Sequence, residues 1–402
     1  MGSPFLITHP FDHNRIQFLD VLRGVALFGI LIVNVFSFGA DIPAWEAKPD
    51  QMIWLLKHLI FETKFWMLFS VLFGMGFYLQ AQSSGYHITQ SIRRLSILMI
   101  FGCLHALLFE GDILMLYAQV GVLLLVLYRL PTRLMLLVGV LLCSTFPLGH
   151  LLGTARGDEL PPEGVVEAAQ WLEEERRESF LVAGSFADVL TEHAAFVPEW
   201  FWMDWQYPDS GWLVLACFLF GVAIMRDGWR HLKRLTPAQL SRITAVCWCV
   251  GLLLMVLERY WAATIGYRPF DLTDASSGQI LIADVTYLGA SVCLASAWFL
   301  SVYWWVVSDF SVGLKARIAC VGKMSLTNYL GQTLVFTSVF YGYGVGAAFL
   351  WGPAQVACLA VMIYLTQLIV CHWWCARFVR GPCEWVWRSL TYWRWEPMKK
   401  RL

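Results

Sequence analysis

The sequence predicts an all-α protein, a polytopic integral membrane helical bundle of about ten transmembrane helices. Three observations predict it. Apolar residues make up 58% of the chain and charged residues only 14%, whereas soluble domains carry roughly 25% charged residues. Apolar runs near the ~20 residues that cross a bilayer recur along the whole chain. The 29 Lys and Arg residues sit mostly between those runs.

Taken in order, residues 1–152 form an N-terminal half with runs at 17–39, 54–80, 95–110, 112–130 and 133–152. The first run, "FLDVLRGVALFGILIVNVF" from Phe18 to Phe36, has no basic leader and no small-residue cleavage site, so it is expected to be retained in the membrane. Lys64 interrupts the second run. Only the stretch Glu110–Asp112 separates the third from the fourth, which predicts a tight helical hairpin.

Residues 153–210 are a hydrophilic insertion that ends in "VPEWFWMDWQYPDSGW", an aromatic run suited to a membrane interface. It reads as a cap on the extracytoplasmic side. Residues 211–376 hold five more runs, at 211–226, 243–262, 280–308, 324–342 and 354–375. The tail, 377–402, mixes Trp with Arg, as a segment along the inner leaflet does.

Alternating spans give the orientation. With the N-terminus inside, 20 Lys and Arg fall in inner segments and 8 in outer ones, with Arg23 left within a span. The positive-inside rule then places both termini in the cytoplasm. The 11 cysteines lie in spans or on the inner side, which argues against a disulfide framework. The "CHWWC" stretch, Cys371 to Cys375, reads as apolar cysteines at an interface. No metal and no nucleic-acid partner are expected. The sequence sets no oligomeric state, though it is compatible with a homodimer.

Polar residues inside apolar spans mark function, because each costs several kcal/mol unless paired or used. Asp20, Arg23 and Asn34 share one stripe of the first span: Arg23 and Asn34 are eleven residues apart, about 20° off one line at ~100° per residue. Asp20 and Arg23, at i and i+3, can pair. His105 lies five residues below Glu110, about 7–8 Å along the helix, with Asp112 just beyond. A neutral imidazole beside a carboxylate can take a proton. Asn328 and Gln332 share a face with Ser325 in "GKMSLTNYLGQTL", and Lys323 stands at its mouth. Lys64, near the outer surface, is expected to snorkel or to anchor a substrate.

These stretches also carry a resemblance. "LDVLRGVALFGILIVNV", "KFWMLFSVLFGMGFYLQ", "LHALLFEGDILMLYA", "GKMSLTNYLGQTL", "YGYGVG" and "GPCEWVWRSLTYW" together resemble the YeiB family of bacterial membrane proteins, domain of unknown function 418. The similarity runs in order from Arg15 to Trp393. The first-span pattern distantly resembles that of heparan-alpha-glucosaminide N-acetyltransferase and other transmembrane acyltransferases. The resemblance implies acyl transfer across a bacterial inner membrane, with acetyl-CoA or another acyl-CoA as donor and roles for Asp20, Arg23 and Asn34. One departure is clear: where that acetyltransferase has a histidine after the first span, this chain reads "GADIPAWEAKPDQ". His105, from another span, is the expected replacement.

The expected function is therefore a membrane acyltransferase that moves an acyl group from a cytoplasmic donor to an extracytoplasmic small-molecule, lipid-linked or glycan acceptor. Arg23, Asp20, Lys323, Asn328 and Gln332 would hold the donor, and Asn34 would stabilise the oxyanion. His105, oriented by Asp112 or Glu110, would be the base, and Lys64 would contact the acceptor. The alternative is a transporter or flippase using the same polar seam.

Overall fold

The computed structural model describes residues 10–38, 47–83, 87–155, 181–206, 210–264, 277–348 and 350–400. Most of the stretch after the first span, and residues 156–180 of the expected cap, lie outside the described residues. The described elements are helices, apart from one isolated bridge between Phe378 and Lys399.

Helix α1 (Pro10–Asn34) ends in a tighter turn, Val35–Phe38. α2 (Lys48–Leu56) opens into a wide π-type turn, Lys57–Phe61, and α3 (Lys64–Ala81) follows. Between them Thr63 takes φ 67°, a left-handed conformation unusual for a β-branched residue. α4 (Ile88–Ala106) and α5 (Leu114–Leu127) form the hairpin expected across Glu110–Asp112. Next come α6 (Thr132–Cys143), α7 (Thr145–Ala155) and, within the insertion, α8 (Phe186–Gln206).

The second half contains α9 (Gly211–Ala223), α10 (Trp229–Arg234), α11 (Pro237–Thr264) and α12 (Ser277–Val307). α13 (Val312–Lys323) and α14 (Ser325–Phe340) are separated at Met324, and α15 (Pro353–Arg377) and α16 (Pro382–Tyr392) close the chain. The break at Met324 has a visible cause. Glu384 of α16 accepts the N–H groups of Leu326 (2.7 Å) and Thr327 (3.1 Å) and the Thr327 hydroxyl (2.6 Å), capping α14 from another helix.

Each of the ten expected runs contains helix, yet seven among the described residues are long and apolar enough to cross a membrane. They are Gln17–Phe38, Lys48–Ala81, Thr132–Gly149, Gly211–Arg234, Pro237–Thr264, Gly278–Val307 and Pro353–Arg377. The expected count differs for local reasons. α5 has 14 residues and α14 has 16, while α4 opens with the polar "ITQSIRR". This is a helical membrane protein.

α1 and α9 are its centre: 67% of the most apolar window of each is buried, against 17% for α11. α1 packs on α13, α3 and α12, and α9 packs on α3, α6 and α5. Small residues let these helices touch backbone to backbone. A Cβ on Gly24 or Gly322 would run into the carbonyls of Ile318 and Asp20 across the α1–α13 contact, and Gly74 and Gly221 do the same between α3 and α9.

Candidate functional site

One end of the bundle gathers cations. Arg23 Nη1 donates to Asp20 Oδ1 at 3.2 Å, and Lys323 Nζ lies 3.9 Å from Asp20 Oδ2. The glycine contact between α1 and α13 is what brings Lys323 to Asp20. Arg94 bonds Gln80 and stacks on Trp387, 4.5 Å from the ring centroid. Arg380 and Arg388 complete a cavity of about 470 Å³, with Asp20 and Glu384 as its acids. Five cations facing two carboxylates give the cavity a surplus of positive charge.

The tail holds this mouth in shape. Glu396 accepts Arg388 Nε at 2.7 Å and Arg394 at 3.2 Å, with Arg380 at 3.6 Å, and the Trp385 indole donates to the Glu396 carbonyl. Partial desolvation raises the Glu396 carboxyl's pKa, but Arg388 above all, with Arg394 and Arg380, outweighs it and holds the group below its usual range. A depressed carboxylate contributes stability in full above its unfolded value near 4.5, and loses it as pH falls through the folded value. Hydrogen exchange of the Phe378–Lys400 amides, corrected for intrinsic rates, should therefore show protection falling as pH drops below about 4.5. In Glu396→Gln that step should be absent. An unchanged step would place the titrating group elsewhere.

From the mouth a narrow apolar cavity of about 230 Å³ leads inward. Arg23, Arg94 and Lys323 stand at its head, and its walls include Leu27, Phe69, Leu72 and Leu98. It stops at Ile30, Ile113 and Tyr329. These three side chains also line a larger chamber of about 810 Å³ on the other side, so they form a partition between the two.

The chamber's walls are largely apolar and aromatic, set with titratable side chains. Asn34, Glu110 and Asp112 line it as a group, joined by His58, Glu62, Glu258, Arg259, Asp284 and Tyr287. His58 comes from the wide turn after α2; such turns concentrate at functional sites. Its Nδ1 donates to Glu62 Oε2 at 2.8 Å. Its Nε2 is buried, makes no hydrogen bond among the described residues, and lies at ion-pair distance, 4.0 Å, from Glu258 Oε2. Glu258 is gripped by both arms of Arg259, each at 2.7 Å.

The other expected site residues are placed as follows. His105 and Asp112 do meet, Nδ1 to Oδ1 at 2.7 Å, but His105 Nε2 is also engaged, with the Thr333 hydroxyl at 2.8 Å. Asp112 in turn accepts the Met115 N–H. Asp112 faces the chamber, whereas His105 is not among its lining residues. Asn328 donates to the Val321 carbonyl at 3.1 Å and contacts Cys371, and Gln332 bonds Gln367 at 3.0 Å. Both tie α14 to its neighbours and neither lines the mouth.

Lys64 corrects an expectation. It is 0% exposed, so it does not snorkel, and its ammonium donates to the His58 carbonyl at 2.8 Å, fixing the wide turn. His58, Glu62 and Glu258 are not among the residues that the sequence singles out. The signal was present in "KHLIFETK", four titratable residues and a threonine around an apolar core, and in the adjacent Glu258 and Arg259 inside a span.

Fold and site thus define a class: a helical membrane protein with a cation-lined mouth at one end, a chamber set with titratable groups at the other and an apolar passage from the mouth toward the chamber. The chain belongs to the YeiB family. It is 30% identical to Uncharacterized protein YeiB of Escherichia coli (strain K12), over 93% of this chain and 95% of that one. Uncharacterized protein YxaH of Bacillus subtilis (strain 168) is 28% identical over 97% of both chains. An "Uncharacterized 39.9 kDa protein in amylase 3'region" of Bacillus acidopullulyticus is 27% identical over 94% of both. The family model described as "Protein of unknown function (DUF418)" matches residues 224–394. No solved structure matches the chain.

Proposed function

We propose that the protein is a transmembrane acyltransferase of the bacterial inner membrane, with the mouth and both termini in the cytoplasm. The orientation rests on the 20-to-8 distribution of Lys and Arg. One observation carries the reading: an apolar passage headed by Arg23, Arg94 and Lys323 runs toward a chamber holding an oriented imidazole. An acyl-CoA matches that asymmetry, since its phosphates suit the cations and its thioester arm suits the apolar walls.

In the chamber, His58 is the base in this reading, because its Nε2 makes no hydrogen bond among the described residues and Glu62 fixes the ring. Asn34, on the same chamber, supplies an amide N–H for the developing oxyanion. His105, with both nitrogens occupied, braces Asp112. A small-molecule, lipid-linked or glycan acceptor enters from the extracytoplasmic side.

Donor binding tests this. CoA should raise the melting temperature of the wild-type protein in detergent. Arg23→Ala should weaken that binding by about 10–100-fold, the worth of one charge-assisted hydrogen bond. Arg23→Lys should recover only part, because a point charge replaces a fork. If CoA leaves the wild type unshifted, the transferase reading fails and a transporter using the same cavities takes its place.

A further inference from the structure

Two cysteines meet at the edge of the mouth. We propose that Cys320 and Cys375 form a redox-active pair, which peroxide converts to a disulfide joining α13 to α15. This stands apart from the acyl-transfer reading, since neither residue lines the mouth, the passage or the chamber.

Tertiary packing brings the two sulfurs together. α13 packs on α15, and Asn328 of α14 fixes their level. Its amide donates to the Val321 carbonyl at 3.1 Å and contacts the Cys371 sulfur at 3.3 Å. Cys320 adjoins Val321, and Cys375 lies one turn beyond Cys371 on the same helix face. There the Cys375 thiol donates a hydrogen bond to the Cys320 sulfur, and the His372 ring is a second donor to it. Cys371 is buried and its thiol is taken up by Asn328. Cys320 and Cys375 are both partly exposed, so a small oxidant can reach them.

The surroundings favour a thiolate at Cys320. The Cys375 contact above all, with His372 and the Lys323 ammonium one turn on, outweighs partial burial and holds the Cys320 thiol below its usual range. Thiolates, not thiols, attack peroxides. Redox-sensing cysteines lie in electropositive, partly exposed places with a second thiol alongside. The "CHWWC" stretch thus supplies more than apolar filling, because its His372 and Cys375 both meet Cys320.

Each step balances. The Cys320 thiolate sulfur attacks one oxygen of hydrogen peroxide. The S–O bond forms as the O–O bond breaks, and the departing hydroxide is protonated to water. Sulfur loses two electrons and peroxide gains them. The Cys375 sulfur then attacks the sulfur of the Cys320 sulfenic acid. The S–S bond forms as the S–O bond breaks, and the hydroxide released takes the Cys375 proton. Two thiols and one peroxide give one disulfide and two waters. α13 carries Lys323 and α15 leads to Arg380, so the bond ties together two elements that bring cations to the mouth.

Mass spectrometry of the full-length protein in detergent tests the pair. The reduced protein is treated with hydrogen peroxide, its remaining thiols are blocked with N-ethylmaleimide in denaturant, and it is digested without reductant. Free Cys320 and Cys375 should be lost together as one peptide pair cross-linked through them, and dithiothreitol should release it. Cys371 should be recovered as its maleimide adduct. In Cys375→Ser the reaction should stop at the sulfenic acid, so dimedone should label Cys320. The wild-type measurement decides the matter even if that variant folds poorly. Recovery of both Cys320 and Cys375 as maleimide adducts, or a cross-link from either to a different cysteine, overturns the inference.

Discussion

Under the proposed acyl transfer, His58→Gln is expected to lower turnover by about 10²–10⁴-fold, the usual loss on removing a general base, while CoA binding stays at its wild-type level. Three features single this residue out. Glu62 orients the ring, Lys64 holds the backbone of its turn through the His58 carbonyl, and buried Nε2 makes no hydrogen bond among the described residues. Glutamine fills similar space but takes up no proton near neutral pH, so the substitution separates chemistry from packing. The companion measurement is His105→Gln. That side chain bridges Asp112 and Thr333 and is 3% exposed, so its replacement should lower the melting temperature rather than selectively abolish turnover. If His105→Gln instead kills turnover in a stable protein and His58→Gln does not, the base is His105.

The contrast between these two histidines shows what a sequence displays. His105 stands out because it sits in an uninterrupted apolar run beside Glu110 and Asp112, and the pairing with Asp112 could be read from spacing alone. Which ring nitrogen remains available depends on Thr333, 228 residues away, and no periodicity encodes that. His58 does not stand out, because "KHLIFETK" reads as the ragged edge of a span. Only the wide turn and the left-handed Thr63 fold that edge inward, and only packing against α11 and α12 supplies Glu258 and Tyr287.

The mouth was more legible. Charge and helical register single out Asp20, Arg23 and Lys323, and they lie together in the structure. Asn328 and Gln332 share their helix face as spacing required, but that face meets α15. Register fixes which residues are neighbours on a helix and leaves open what the face meets. Arg94, Arg380 and Arg388 join the mouth through tertiary packing of α4 and the tail, which the sequence does not announce.

Gly322→Ala should be severely destabilising, with little monodisperse protein recovered in detergent. A Cβ there would penetrate the Asp20 carbonyl oxygen and stand 2.8 Å from the Gly24 nitrogen, both backbone atoms of the central helix. Side chains can rotate away from an added methyl, and such overpacking typically costs about 1–3 kcal/mol. Backbone inside α1 cannot yield unless the whole helix shifts, so the penalty should exceed that range. Gly331→Ala is the control. It makes the same change inside a neighbouring helix with nothing within 4 Å of the new methyl, and should stabilise by about 0.4–1 kcal/mol by restricting the unfolded chain. Both effects are read as melting temperature and yield, side by side. Any Gly322→Ala protein that does fold must hold α13 further from α1. Lys323 then moves off Asp20, now 3.9 Å away, and the mouth loses a cation at the head of the apolar passage. CoA affinity should fall with the melting temperature in that variant and stay unchanged in Gly331→Ala. Equal stability of the two variants would mean that the α1–α13 contact is not held at glycine distance, and the geometry assigned to the mouth would go with it.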